Sequence, residues 1–306
     1  MTEYLYSEIF YSVQGEGKYT GVPTAWLRYF NCNLQCNGFG QKDPTDPSTY
    51  ILPYQTVDVS NIKVMEDLPV FEYGCDSSYS WSKKFKHLQR KGTPEEIGNL
   101  IIDSMKNEHN PKGLFLHPKT GIEQHMCFTG GEPMLKKSQQ CTAEIVRYWA
   151  SIANSPFWIT FETNGTQEIT DEFTSILKNK AYVRKEVFFS ISPKLFNTSG
   201  EKAKKAICPK IIREYDIFSN RAGQLKFVVN GKKETWEELD DVVDQLRRAG
   251  VTYPVWVMPV GATKEGQSGE LEGHMSAGMI AEEAYKRGFY VSSRVHVNLW
   301  GNLIGV

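Results

Sequence analysis

Cys32 and Cys36 stand four positions apart just after the apolar run Pro23-Thr-Ala-Trp-Leu-Arg-Tyr-Phe30. Thiolates are soft ligands suited to iron–sulfur clusters or zinc, and a pair at this spacing starts a cluster-binding motif. A third cysteine three residues on would continue it, but Phe39 holds that place. The next thiol is Cys75, in Tyr73-Gly-Cys-Asp-Ser-Ser-Tyr-Ser-Trp81, beyond the 38 residues 37–74. Further along, Thr129-Gly-Gly-Glu-Pro133, Glu162-Thr-Asn-Gly165, Ser192-Pro-Lys194 and Met258-Pro259 put glycines, carboxylates and a lysine at the ends of apolar runs. Paired glycines let a backbone approach a ligand closely, and a carboxylate can take an ammonium group. The competing reading of Gly130, Gly131 and Glu132 is a tight strand-to-helix turn with a capping acid.

The elements that must position these residues alternate. Strand-like runs at 23–30, 126–129, 157–162, 187–191, 225–229 and 255–258 are separated by helical patterns near 138–153, 170–179 and 234–249. Thr93-Pro94-Glu95-Glu96 opens a further helix, with a capping threonine, a first-turn proline and two acids at the positive end of the dipole. That helix is expected to bury Ile97, Leu100, Ile101 and Met105 on one face. A last helix (274–287) leads into an expected strand, Tyr290–Val297. Alternating strands and helices predict parallel βα units, with a site at the strands' C-terminal ends. Residues 37–74, with Pro44, Pro47, Pro53 and Pro69 and little periodicity, read as a surface insertion within a single domain spanning 1–306.

A net charge of −1 lacks the basic excess of a binder of bulk nucleic acid or anionic membrane. No apolar run reaches the 18 residues of a membrane span, and the first residues lack the pattern of a secretory signal. Six cysteines in such a chain read as reduced thiols, so the expectation is a cytoplasmic enzyme.

Upstream of the cysteines lie Glu8-Ile-Phe-Tyr-Ser-Val-Gln-Gly-Glu-Gly17, Gly21-Val-Pro-Thr24 and Arg28. Taken in order with the downstream motifs, this set resembles the 7-carboxy-7-deazaguanine synthases of the radical S-adenosylmethionine superfamily, from Glu8 to the C-terminus except in the insertion. Gln14-Gly-Glu-Gly17 is the more specific part; Thr129-Gly-Gly-Glu-Pro133 is shared by many radical enzymes. The resemblance implies a partial, modified (βα) barrel. It implies a [4Fe–4S] cluster on Cys32, Cys36 and Cys75, because Asp76-Ser77 follows Cys75 as an acid–hydroxyl pair follows the family's last cysteine. Lengthening that interval from 2 to 38 residues adds roughly 2.6 kcal/mol of loop-closure entropy. Structural metal–thiolate binding, on the order of 10 kcal/mol or more, outweighs it.

By the same resemblance, Gly130, Gly131, Glu132, Glu162, Asn164, Ser192, Pro193, Lys194, Met258 and Pro259 contact S-adenosyl-L-methionine. Val13, Gln14, Gly15, Arg28, Thr129 and the terminal Val306 contact a pterin, 6-carboxy-5,6,7,8-tetrahydropterin. Glu16 and His296 carry catalytic roles, and Ser77 reaches a magnesium ion (Mg2+), with Asp76 an alternative ligand. An arginine such as Arg28 can grip a carboxylate bidentately, whereas its plain reading is a strand arginine on a solvated face. Glu162 and Asn164 could be turn residues, and His296 a satisfied core histidine. Met258-Pro-Val260 departs from the family's usual Gln-Pro-Met. The resemblance further implies an external electron donor such as flavodoxin or ferredoxin, and a homodimer. The implied activity is that of a lyase forming 7-carboxy-7-deazaguanine with loss of ammonia. A glycyl-radical enzyme activase, or a non-catalytic protein binding zinc through the three cysteines and His87, stand as rivals.

Overall fold

The computed structural model describes residues 2–268, 274–301 and 303–305. Nine strands form one open sheet: β1 (Tyr4–Val13), β2 (Pro23–Tyr29), β3 (Arg90–Gly92), β4 (His125–Gly130), β5 (Trp158–Thr163), β6 (Glu186–Ile191), β7 (Gly223–Val229), β8 (Val255–Pro259) and β9 (Tyr290–Val291). Their order is β3-β1-β2-β4-β5-β6-β7-β8-β9, parallel from β2 onward, with β1 antiparallel to both of its neighbours. The sheet does not close on itself, since β3 and β9 are its edges. This is a mixed α/β fold, built from the parallel βα units that the alternation predicts and consistent with the partial barrel that the resemblance implies.

Period-two alternation gives the parallel strands two different faces. Leu27, Phe128, Phe161, Phe189, Phe227 and Val257 are fully buried against the helices. Phe128, Phe161 and Phe189 stack in a row across β4, β5 and β6. Intervening positions point to the other face: Arg28, Thr129, Glu162, Ser190 and Lys226. Parallel strands are usually covered on both faces and apolar throughout. Here one face stays uncovered by helices, and that is where polar residues collect.

The helix at Thr93 begins as the sequence requires. Thr93 accepts from the Glu96 amide, and the Glu96 carboxylate takes the Thr93 amide, a reciprocal cap over Pro94–Ser104. Its buried face differs by one position from the expected one. Ile97, Ile101 and Met105 are buried, but Leu100 is 44% exposed and Ile102 takes its place. The expected strand at Tyr290–Val297 is also corrected. Only Tyr290–Val291 pairs, and a short helix, Val295–Trp300, follows. Hydrogen bonding of the Val295 amide to the Gly15 carbonyl turns the chain back toward the sheet.

Residues 37–74 do more than cover surface. Tyr54, Met65, Leu68 and Phe71 form a second small core with Tyr79, Phe85 and Leu88, and Ile304 packs against it. Phe39, Gly40, Pro69, Val70 and Gly74 from the same segment line the central pocket. The inserted segment is therefore a wall of the site.

His125, 5% exposed, stacks on Trp158 and meets the edge of Tyr19. Burial pushes its imidazole down to about 4. The unfolded chain binds that proton near pH 6.5, so the folded state gains from this group above that pH and loses the gain as pH falls toward 4. The difference is worth about 3 kcal/mol. Urea unfolding between about pH 7.5 and about pH 4.5 should show this slope, and His125→Gln should flatten it; an unchanged slope in the variant would refute the assignment.

Candidate active site

One pocket gathers residues from nearly every strand of the parallel sheet. At one end are the three thiols. Cys32, Cys36 and Cys75 share a small cluster with Leu34, Phe39 and Ala206, and all six cysteines of the chain are free. Local geometry at Cys36 is strained, with φ +53° in the left-handed region. The Glu201 carboxylate holds that turn by accepting from the Gln35 and Cys36 amides at 2.6 and 3.0 Å. Phe39, in the place of the missing cysteine, lies under the Lys194 ammonium, 5.6 Å from the ring centre. The chain then leaves through the insertion and returns at Gly74, whose amide bonds the Phe39 carbonyl at 2.8 Å. That bond closes the detour beside its starting point.

Burial pushes all three thiols up: Cys32 to about 12, Cys36 well above its ordinary value, and Cys75 in the same direction with Asp76 adding to the effect. Buried thiols of this kind stay protonated until a cation replaces the protons. Donors nevertheless face the sulfurs. The Leu34 amide lies 3.4 Å and the Asn164 side-chain nitrogen 4.0 Å from Cys32 Sγ, and Ser77 Oγ is 3.5 Å from Cys75 Sγ. Among the described residues, no three His, Cys, Asp or Glu side chains are close enough to hold a single ion. His87, the fourth ligand of the zinc reading, is exposed on the 3-10 helix Lys83–Leu88 and does not line the pocket.

The middle of the pocket is built from the strand ends. Gly130, Gly131, Asn164, Ser192, Lys194, Met258 and Pro259 line it, whereas Pro193 does not. Gly131 is demanded by packing: a Cβ there would sit 2.0 Å from the Asn31 carbonyl oxygen, next to Cys32. Asn164 bonds Asn33 at 3.0 Å, and the Lys194 ammonium bonds Ser192 Oγ at 2.9 Å. Glu132 stands behind this lining. It is fully buried and does not line the pocket. Its oxygens accept from Met134 N, Thr163 Oγ1 and Asn164 N at 2.9, 2.6 and 2.8 Å. In this arrangement it fixes the two strand-end turns.

At the far end stand Val13, Gln14, Gly15, Glu16, Arg28, Thr129 and His296. The loop after β1 lies against the sheet's inner face. Gln14 Nε2 reaches Glu162 at 3.4 Å, and Thr129 Oγ1 donates to the other Glu162 oxygen at 3.2 Å. Glu162, read from sequence as a cofactor contact, thus sits among the residues read as substrate contacts. His296 packs its ring so closely on Gly15 that a Cβ there would lie 1.9 Å from Nδ1. Burial and the Arg294 charge push His296 down to about 4, leaving it neutral at pH 7. Arg28 shares Nε with the buried Glu8 at 2.5 Å, and Tyr79 donates to the same Glu8 oxygen at 3.0 Å. A grip on a ligand carboxylate then falls to the two terminal nitrogens of Arg28. Val306 lies outside the described residues.

Two cations that motif reading passed over organise this end. Lys226 is 6% exposed and bonds Glu16 Oε2, with Glu162 3.7 Å away. Arg294 donates to Glu16 Oε1 at 2.9 Å, to Asp76 Oδ2 at 2.6 Å and to the Gly261 carbonyl at 3.1 Å. Burial alone would raise the Glu16 carboxyl, but Lys226 and Arg294 hold it far below the usual carboxylate range. Both Glu16 oxygens are thus held by buried cations. A signal for Lys226 was present in the sequence: a lysine inside the apolar run Leu225-Lys-Phe-Val-Val229 must find a buried counter-charge.

The fold and site define an α/β protein whose parallel strands present a thiol-bearing pocket on one face and at their C-terminal ends. No family model matches the chain. Among curated proteins, "7-carboxy-7-deazaguanine synthase" of Halobacterium salinarum is 24% identical over 97% of this chain and 90% of its own length. The protein of the same name from Rhodopirellula baltica is 25% identical over 98% of this chain and 88% of its own. A crystal structure of QueE from Escherichia coli aligns with TM-score 0.49 and 17% identity, over 95% of this chain and 93% of that one. The chain is a homologue of the curated 7-carboxy-7-deazaguanine synthases along nearly its whole length. No helix among the described residues is long and apolar enough to cross a membrane.

Proposed function

We propose that the chain is a radical S-adenosylmethionine lyase converting 6-carboxy-5,6,7,8-tetrahydropterin to 7-carboxy-7-deazaguanine with loss of ammonia, in queuosine and 7-deazapurine biosynthesis. One observation carries the reading: Cys32, Cys36 and Cys75, separated by a 38-residue detour, line the same pocket as Gln14, Glu16, Arg28 and Thr129. The whole chain then works as one domain, with residues 37–74 inserted in the cluster loop.

Cys32, Cys36 and Cys75 would hold a [4Fe–4S] cluster, which would supply the electron for reductive cleavage of S-adenosylmethionine. The chain's own part is positioning. Gly130 and Gly131 let the methionine end approach the backbone, while Asn164, Ser192, Lys194, Met258 and Pro259 line the rest of that length of pocket. Gln14, Glu16 and Glu162 would share their oxygens with the donor-rich edge of the pterin, and Arg28 would take its carboxylate. Those oxygens are already bonded by the Glu16 amide, Lys226, Arg294, Gln14 and Thr129. His296, neutral and packed on Gly15, closes the far end. Ser77 Oγ would serve as a ligand to Mg2+, since magnesium keeps most of its waters and needs few protein oxygens. Asp76 is engaged by Arg294, which leaves the direct role to Ser77. Six free thiols suit the reducing cytoplasm, and an external one-electron donor is required.

The deciding experiment is anaerobic reconstitution with iron and sulfide, followed by incubation with S-adenosylmethionine, the tetrahydropterin, Mg2+ and dithionite. Formation of 7-carboxy-7-deazaguanine without any protein partner is expected, which also eliminates the activase reading. A reconstituted, iron-loaded protein that leaves the pterin unchanged would overturn the assignment, and a colourless zinc protein would overturn the cluster.

A further inference from the structure

The first strand changes faces at one residue. Tyr4 and Tyr6 of β1 belong to the apolar core, and by alternation Glu8 should follow them there. It does not. Tyr6 pairs with Tyr29 and Glu8 with Arg28, so β1 carries one residue more than β2 between these pairs, a β-bulge at Ser7. Beyond the bulge the alternation is reversed. Ile9 and Tyr11 pack on the core, while Glu8 and Phe10 join Trp26 and Arg28 in lining the pocket. The bulge thus brings a carboxylate, 1% exposed, to the position opposite Arg28. One of its oxygens takes Arg28 Nε at 2.5 Å and the Tyr79 hydroxyl at 3.0 Å, and the other has no partner among the described residues. Tyr79 also flanks the guanidinium, with Arg28 Cζ 5.7 Å from the centre of its ring. Tyr79 stands in the 3-10 helix Ser78–Ser80, directly after Cys75-Asp76-Ser77, so the loop that returns the third thiol also braces Arg28.

We propose that Glu8 and Tyr79 are positioning residues for Arg28: they hold its Nε side and so present both terminal nitrogens as a fork to the carboxylate of the substrate. This role rests on the carboxylated pterin proposed above as substrate. A guanidinium binds a carboxylate best through two parallel bonds. A side chain already held in that orientation loses less freedom when the ligand arrives. Glu8 also acts against the ligand, because its charge competes for the same arginine. Orientation is the larger effect in this arrangement, since Glu8 engages Nε and not the fork. The plain reading is a cross-strand ion pair that supports the sheet. Such a pair would serve on a solvated face with less desolvation, whereas the bulge turns this one into the pocket.

The test is equilibrium binding to the reconstituted holoenzyme, measured anaerobically with S-adenosylmethionine and no reductant. Two ligands are compared: 6-carboxy-5,6,7,8-tetrahydropterin, and 5,6,7,8-tetrahydropterin, which lacks only the carboxylate. Glu8→Gln keeps the size of the side chain and removes its charge. It should weaken the carboxylated ligand at least about tenfold and leave the other within about twofold. Tyr79→Phe keeps the ring and removes only the hydroxyl, so it carries the same test if Glu8→Gln folds poorly. Its effect should be about threefold and equally selective for the carboxylated ligand. The double variant should lose less than the product of the two, because both act through one guanidinium. Tighter binding of the carboxylated ligand by Glu8→Gln would overturn the proposal, showing that Glu8 only competes for Arg28. Equal weakening of both ligands, or unchanged affinities, would overturn it as well. A wild-type protein that binds the two pterins alike, or takes up no cluster, would instead sink the underlying reading.

Discussion

Cys75→Ala is expected to abolish cluster loading while leaving the protein folded. The 38-residue detour returns to the site at one thiol, and the return is held in place independently of that sulfur. Gly74 bonds Phe39, the Ser78 amide bonds the Cys75 carbonyl at 3.0 Å, and Asp76 is clamped by Arg294. Removing Sγ costs little packing but deletes a third of the protein's ligands. No other thiol is placed to substitute. Cys127 and Cys141 are fully buried away from the pocket surface, in β4 and in the helix Lys136–Ser151, and the half-buried Cys208 does not line the pocket. After anaerobic reconstitution, wild type should hold about four irons per chain and Cys75→Ala fewer than about one. Thermal unfolding of the metal-free proteins should agree within a few degrees, as expected when no large buried contact is lost. A complete cluster in Cys75→Ala would show that another group is the third ligand. Installing a cysteine in place of Phe39 should be unnecessary for loading.

The second large effect belongs to Lys226. Its ammonium is almost completely buried between Glu16 and Glu162, so Lys226→Met leaves two carboxylates facing each other with only Arg294 as compensation. Breaking a buried pair from one side strands a charge and costs about 3–5 kcal/mol. Urea unfolding at neutral pH should show that loss. The companion variant Lys226→Met/Glu16→Gln should regain a large part of it, because the stranded charge has also been removed. Additive losses would show that the two residues are not energetically coupled. In the single variant the Glu16 carboxyl should also move upward from its depressed value, since Lys226 is the larger of the two cationic influences on it. Glu16 would then titrate within the accessible acid range, with ligand affinity falling as pH drops through the new midpoint.

Much of the site was legible because it is written in contiguous motifs. Thr129-Gly-Gly, Ser192-Pro-Lys194 and Met258-Pro259 end strands whose apolar runs are unmistakable, and a strand end fixes where its last residues point. The Thr93 cap was legible for the same reason: its hydrogen bonds close within four residues. Errors arose where long-range packing made the choice. Leu100 and Ile102 are both compatible with helical spacing around Ile97 and Ile101, and only the angle at which the helix meets the sheet decides which is buried. The β-branched run around Val295 is strand-like locally, yet the bond from its amide to Gly15 makes a helix the better solution. The partners of Glu132, Thr163 and Asn164, come from the neighbouring strand, so its own motif does not reveal them.

The sequence by itself determined the alternation of strands and helices, the six reduced thiols and the order of the motifs, because each depends on residue type and on spacing within one turn or strand. The resemblance already grouped Cys75 with Cys32 and Cys36, and the structure brings the three together. Tertiary structure alone decided that residues 37–74 become a wall of the pocket, and that Lys226, Glu16, Arg294 and Asp76 form one ionic chain. These pairings join residues as much as 278 positions apart. No local preference encodes such a contact: it follows from desolvation, which compels each buried charge to find an opposite one wherever the fold has brought it.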